Sequence, residues 1–204
     1  MLISSNEQNT DAWYAERKGV ITGSKLGDLV VYRGTKRKIG FYKIMAERIG
    51  IDDESEDAME RGHALEPEAI AAFEAATGKT VSKVGLCRSE SNPYIGLSPD
   101  GLIKNGNVYN EAVEVKCLSS AHHLMAWFEK EIPSDYEEQV AQYFIVDEDL
   151  QTLHFVFFDP RITAKPYFVI EVTRAEISDR IEMLKAYQEK SLAEMEEMIN
   201  QLTF

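Results

Sequence analysis

The chain has few cysteines, few basic residues for its acidic load and no long apolar run, and each shortage removes a class of protein. Cys87 and Cys117 are its two cysteines, 30 residues apart, with no CxxC or Cys/His spacing around them. That excludes a zinc ribbon and a disulfide scaffold and leaves two structural thiols as the expectation. No apolar stretch approaches the roughly 20 residues of a membrane span. The start "MLISSNEQNTDAWYAERKG" lacks the basic head and apolar middle of a signal peptide. A soluble, cytoplasmic protein without a membrane partner is expected. There is no internal repeat, low-complexity tract or Pro/Gly/Ser linker, so residues 1–204 read as one domain.

Basic residues are scarce as well: 22 Lys and Arg against 35 Asp and Glu give a net charge of −13. That argues at first against nucleic acid, whose phosphates draw clustered cations. The imbalance is uneven, because residues 1–50 hold nine basic and five acidic side chains, a local excess of +4. A basic face on an acidic body is therefore available.

The apolar spacing predicts a short helix from Thr10 to about Lys18 with Trp13 on its inner side. A second helix is capped by Thr22 or Ser24 and carries Leu26, Leu29 and Val30, and a third runs through "YKIMAERIG". Asp57 with Glu60 caps a helix through "HALEPEAIAAFEAATG", in which Pro67 marks either a kink or the first turn of a later helix; Gly78 ends it. Strands follow at "TVSKVGLCRS", "YIGLSPDGLI" and "EAVEVKC", the last two joined by "KNGN" as an antiparallel hairpin. Helices at 121–130 and 134–146, strands at "LQTLHFVFFD" and "YFVIEVTR", and a capping box of Thr173 and Glu176 before a long amphipathic helix complete the chain. The order implies an α/β (α+β) fold, a mixed sheet flanked by helices.

One stretch carries chemistry: "SPDGLIKNGNVYNEAVEVKC", residues 98–117. Residues two apart on a strand face the same way, so Glu114 and Lys116 share a surface that Val113 and Val115 do not. The hairpin brings Asp100 alongside Glu114. Two adjacent carboxylates are costly without a cation between them, and Mg²⁺ favours such oxygen ligands. An ammonium beside the ion can hold the attacking water and offset charge on a phosphodiester. From the hairpin alone, an exposed strand with a cross-strand ion pair reads equally well.

Pro99-Asp100 followed by Glu114-Val115-Lys116 resembles the PD-(D/E)XK signature of restriction-endonuclease-like nucleases. The phrases "WYAERKGVITGSKLGDLV", "RGHALEPEAIAAFEAATG", "SPDGL", "EVKC" and "YEEQVAQYFIV" with "FFDPR" are similar to the phage lambda exonuclease and YqaJ-type viral recombinase branch, over most of the chain. The resemblance implies that Asp100, Glu114 and the main-chain carbonyl of Val115 hold metal. Lys116 serves the attacking water, and Glu66 supplies a further carboxylate for a second metal or its water. Gln139 and Tyr143 resemble the QxxxY element, with Gln139 near the reacting centre and Tyr143 either there or in the core. Arg17 and Ser24, joined by Ser98, match residues that contact a 5′-terminal phosphate. Without the resemblance, Arg17 is a surface arginine, Ser24 a cap, Ser98 a turn residue and Glu66 a solvated helix charge. The cluster of Arg33, Lys36, Arg37 and Lys38 reads as a basic loop touching the duplex. His63, one turn before Glu66, is either a metal or DNA contact or a structural histidine. Trp127 and Phe128 read as core. Fourteen residues separate Asp100 from Glu114, so the "KNGNVYN" turn is an extension without a catalytic role.

The resemblance further implies a Mg²⁺-dependent 5′ to 3′ exonuclease, using one or two ions, with Mn²⁺ able to substitute. It would degrade one strand of 5′-phosphorylated duplex DNA to mononucleotides and leave a 3′ single strand for recombination. A homotrimeric ring, a single-strand annealing partner and a phage or prophage origin in a bacterial host belong to the same expectation. The rivals are an endonuclease of the same superfamily and a non-catalytic DNA-binding or recombination-partner module. Chemistry based on paired carboxylates acting on sugars lacks the stacking aromatics it needs.

Overall fold

A computed structural model describes residues 1–34, 37–48 and 58–202 of the chain. Lys36 of the basic cluster and Asp57 of the expected cap lie outside them, as does the side chain of Glu60. The core is a five-stranded sheet ordered β2 (Val81–Ser82), β5 (Gly101–Asn105), β6 (Val108–Lys116), β7 (Thr152–Phe158) and β8 (Tyr167–Thr173). Only β6 and β7 run parallel, so the sheet is mixed, as the order of elements predicts. A crossover through helices α5 (Ser120–Glu129) and α6 (Glu137–Val146) connects these two central strands, the connection that parallel pairing requires.

Alternation along the strands sorts their side chains between two cores. Leu153, Phe155 and Phe157 of β7 join Ala112 of β6 in the larger core, shared with α6, α2 (Gly23–Leu29), α3 (Ile39–Arg48) and α7 (Ser178–Leu202). Val113, Val115, Val156 and Phe158 face the other way, against Ala69 and Phe73 of α4 (Ala58–Thr77). Glu114 and Lys116 alternate with Val113 and Val115 and so point to the α6 side. The expected capping box starts a 3₁₀ turn, Arg174–Ile177, that leads into α7; there Thr173 N and Oγ1 both donate to Glu176 Oε2 at 2.7 Å. Ile181, Leu184, Leu192 and Met195 then bury its stripe in the chain's own core.

Several local expectations change. Each of the two strands expected at 80–89 and 94–103 divides between two sheets: β3 (Cys87–Arg88) and β4 (Gly96–Leu97) join β1 (Leu2–Ile3) in a separate three-stranded sheet. Gly85 and Pro99 lie at the divisions, where chain direction can change without a ladder donor or a Cβ. Pro67 sits inside a continuous helix rather than starting a new one, and cannot donate to the carbonyl of His63 one turn back. Phe128 is 78% exposed instead of buried. Helix α5 buries His123 and Ala126 and half-buries Trp127, an i, i+3, i+4 stripe that turns position 128 outward. Cys87 is buried and free, and burial pushes its thiol up to about 12. Gly106, in the left-handed region at φ 63°, closes the hairpin between β5 and β6.

Phe155 is fully buried on a central strand. Replacing it with alanine should lower the unfolding free energy by about 3–5 kcal/mol, measured by urea titration with an unchanged denaturant slope; a loss below about 1 kcal/mol would contradict the core assignment.

Candidate active site

The hairpin register sets the first pair of carboxylates. Gly101 faces Val113, so Asp100, one residue before β5, stands beside Glu114. Asp100 Oδ2 accepts from Val115 N at 2.7 Å. Its carboxylate thus extends the ladder past the end of the strand and is fixed by backbone rather than by a flexible side chain.

Glu114 is only 3% exposed, and a carboxylate in that position must be bonded or neutralised. Its Oε1 accepts from Lys116 Nζ at 2.6 Å and from Gln139 Nε2 at 2.5 Å, and its Oε2 accepts from the Tyr143 hydroxyl. Gln139 and Tyr143 lie four residues apart on one face of α6. Burial, then the charges of Glu114 and Asp100, hold the Tyr143 hydroxyl well above its ordinary range, so it stays a donor. Tyr143 is therefore both core and site. Burial acts to lower the pKa of Lys116, but Glu114, then Asp100 and Tyr136, outweigh it, and the ammonium is raised overall. Its Nζ lies 4.8 Å from the centroid of the Tyr136 ring.

Glu66, buried on α4, lies 3.4 Å from Lys83 Nζ and 3.8 Å from His63 Nδ1. Its charge reaches Asp100. Burial, then Glu114 and Glu66, raise the Asp100 carboxyl well above its ordinary value, against the opposing pull of Val115 N and Lys116. Among the described residues, no three acidic, histidine or cysteine side chains close into a ready-made metal cage. What the residues offer is the adjacent carboxyl oxygens of Asp100 and Glu114, with the charge of Glu66 felt at Asp100. Such a set fits a hard cation that keeps waters and substrate oxygens as its other ligands.

The residues expected at a terminal phosphate divide. Arg17 caps α1 (Asp11–Glu16) and lies 4.3 Å from the Trp13 ring centroid. Burial lowers its pKa, opposed in part by Tyr14, Glu114, Glu47 and Asp100, which puts the guanidinium within electrostatic reach of the carboxylates. The Ser98 hydroxyl is buried without a hydrogen-bond partner two residues before Asp100. Ser24 is exposed on the first turn of α2, 3.2 Å from Thr22 Oγ1. A Cβ on neighbouring Gly23 would stand 2.9 Å from Gln139 Cγ, so that turn abuts the site. The basic cluster is not one free patch. Arg37 bonds Tyr187 and Glu194 of α7, Lys38 donates to Gly27 O at 2.8 Å, and Arg33 is exposed. His122 is exposed and His123 is buried with its Nε2 2.9 Å from Lys165 O.

Two contributors escaped sequence reasoning. Tyr136, beneath Lys116, falls on the helical face of Gln139 and Tyr143 at spacings of three and seven, which is the signal that could have revealed it. Trp13 reads from sequence only as core, yet its ring is the shelf for Arg17. An open apolar groove of about 310 Å³ between Ile132, Val140, Ile170 and Ile177 contains none of the residues above.

Residues 12–149 match the model of the YqaJ-like viral recombinase domain. Crystal structures of the alkaline exonuclease LHK-Exo from Laribacter hongkongensis are 26% identical with TM-score 0.80 and, for a complex with dAMP, 27% identical with TM-score 0.79; each comparison covers 95% of this chain and 98% of that one. A phage-related exonuclease from Haemophilus somnus 129PT shares the fold at 14% identity and TM-score 0.61, over 90% of this chain and 96% of its own. No curated protein sequence matches. The neighbours carry the restriction-endonuclease-like fold expected from the signature.

The raised Asp100 carboxyl has a consequence for stability. Above pH 3.8 the unfolded chain sheds this proton while the folded one retains it, so stability falls as pH rises through the raised folded value. Asp100→Asn should therefore melt higher than the wild type at neutral pH without divalent ions, with the advantage vanishing near the ordinary carboxylate value. Thermal melts across pH check this, and a variant that melts lower at neutral pH would contradict it.

Proposed function

Because the chain belongs to the YqaJ-like viral recombinase family, whose solved neighbours above are exonucleases, we propose that it is a Mg²⁺-dependent exonuclease. It would degrade the 5′-phosphorylated strand of linear duplex DNA in the 5′ to 3′ direction. The observation that carries the reading is the assembly of Asp100, Glu114 and Lys116 at one end of the hairpin, beside an unpartnered Ser98 hydroxyl and within the field of Arg17. Magnesium, for which Mn²⁺ can stand in, supplies electrophilic activation of the phosphodiester when bound. Asp100, Glu114 and Val115 O are the oxygens that would hold it, with Glu66 near a second ion or its water. Lys116 holds the attacking water and offsets charge as an ammonium, the state its surroundings favour. Gln139 and Tyr143 keep Glu114 oriented for that task. Arg17 supplies a planar cation, and Ser24 and Ser98 hydroxyls, to a terminal phosphate.

The dAMP bound to LHK-Exo is a mononucleotide, the product class this reaction releases, and supports the reading. The proposal extends to a ring of three subunits enclosing the duplex and to a single-strand annealing partner on the 3′ strand left behind. The excess of basic residues in the first fifty positions supports a DNA-facing side on an acidic protein.

Linear duplex carrying a 5′-phosphate on one strand and a 5′-hydroxyl on the other, with Mg²⁺, should lose only the phosphorylated strand, while closed circular DNA stays intact. Lys116→Met should reduce the rate about 10²–10³-fold. Cleavage of the circle would point instead to an endonuclease of the same fold, and no cleavage of either substrate to a binding module.

A further inference from the structure

We infer that Gln142 is a positioning residue that holds the end-phosphate segments in register with the cleavage centre; the inference rests on the proposed function. Gln142 is fully buried on α6, where an amide is costly unless every group is satisfied. Its Nε2 donates to Ile21 O at 2.8 Å and to Gly96 O at 3.1 Å, and its Oε1 accepts from Gln188 Nε2 of α7 at 2.8 Å. Two carbonyls on one side and a donor on the other fix which end of the amide is which.

The two carbonyls belong to segments that otherwise meet only briefly. Ile21 and Ile95 form an isolated parallel bridge, closed by Ile21 N to Tyr94 O at 2.8 Å and Gly96 N to Ile21 O at 3.0 Å. Going forward from Ile21, the chain delivers Thr22 and Ser24, with Arg17 four residues behind it. Going forward from Gly96, it delivers Ser98 and then Asp100. Gln142 is the third tie across this junction. It also lies on the helix whose Gln139 and Tyr143 hold Glu114. One helix thus references the phosphate segments and the metal carboxylates to the same frame. Gln188 is fully buried too, and its own Oε1 has no partner, so the bond it donates to Gln142 is its evident polar role. The carboxylates keep their own bonds to Val115 N, Lys116, Gln139 and Tyr143, none of which passes through Gln142.

The test compares kcat and KM on linear duplexes ending in 5′-phosphate or 5′-hydroxyl for wild type and Gln142→Met, which keeps the length and removes the hydrogen bonds. The Mg²⁺ dependence of the melting temperature is measured alongside. Gln188→Met, which leaves both carbonyl bonds but frees the amide, serves if Gln142→Met does not fold. The expected result is a fall of about tenfold or more in preference for the phosphorylated end, equivalent to about 1.4 kcal/mol, expressed in KM, with the Mg²⁺ response unchanged. Gln188→Met should show a smaller fall of the same kind. Equal losses on both ends, or a lower melting temperature with the preference intact, would overturn the inference. A wild type indifferent to the end group removes the phosphate-pocket reading and this inference with it, and is read before any variant is made.

Discussion

A buried glutamate, whose carboxyl oxygens must all find donors, is the constraint around which the site is organised. Glu114 stands on a central strand at 3% exposure, where an isolated carboxylate costs several kcal/mol. Three donors from two elements meet it: Lys116 from its own strand, and Gln139 and Tyr143 from α6. The two contacts from α6 fix its rotation against the sheet. Tyr143 must reach the Glu114 carboxyl while Phe144 fills the core, both fully buried. Packing and charge compensation therefore demand the same helix placement, which is the consistency a unique fold needs.

The gathering of the Asp100, Glu114 and Glu66 carboxyls also accounts for the metal requirement we propose. Asp100 is raised by burial and by Glu114 and Glu66 together, so the cluster in its ion-free form is electrostatically unfavourable and a divalent cation relieves it. Strain of this kind at a site, supported by well-packed surroundings, is the ordinary trade of stability for function. The acidic composition of the chain, which at first sight opposes nucleic acid, is in part this site.

The fold and the grouping of Asp100, Glu114 and Lys116 were legible because they rest on short-range periodicity. A period of two puts Glu114 and Lys116 on one side of β6, an Asn-Gly turn closes the hairpin, and the hairpin register then delivers Asp100 without any knowledge of the rest. What was not legible depends on tertiary partners. Residues 80–89 and 94–103 read as continuous strands because local propensity does not record that each half pairs in a different sheet. Arg37 reads as a DNA-contacting cation, but its partners on α7 lie about 150 residues away in sequence, at Tyr187 and Glu194. Gln142 looks like any helical glutamine, since nothing local announces the two backbone carbonyls it serves. Phe128 misleads for the opposite reason: an aromatic is assigned to the core by type, while the helix phase sets it outside.

In the proposed reaction Glu114 and Asp100 are the ligands of a hard divalent cation. Crystals soaked in Mn²⁺ and measured at the manganese absorption edge would test it most directly. The expected result is an anomalous peak about 2.1 Å from carboxylate oxygens of both residues and from Val115 O, with Lys116 Nζ turned away from Glu114. A peak elsewhere, or none with the bond between Lys116 and Glu114 intact, would contradict it.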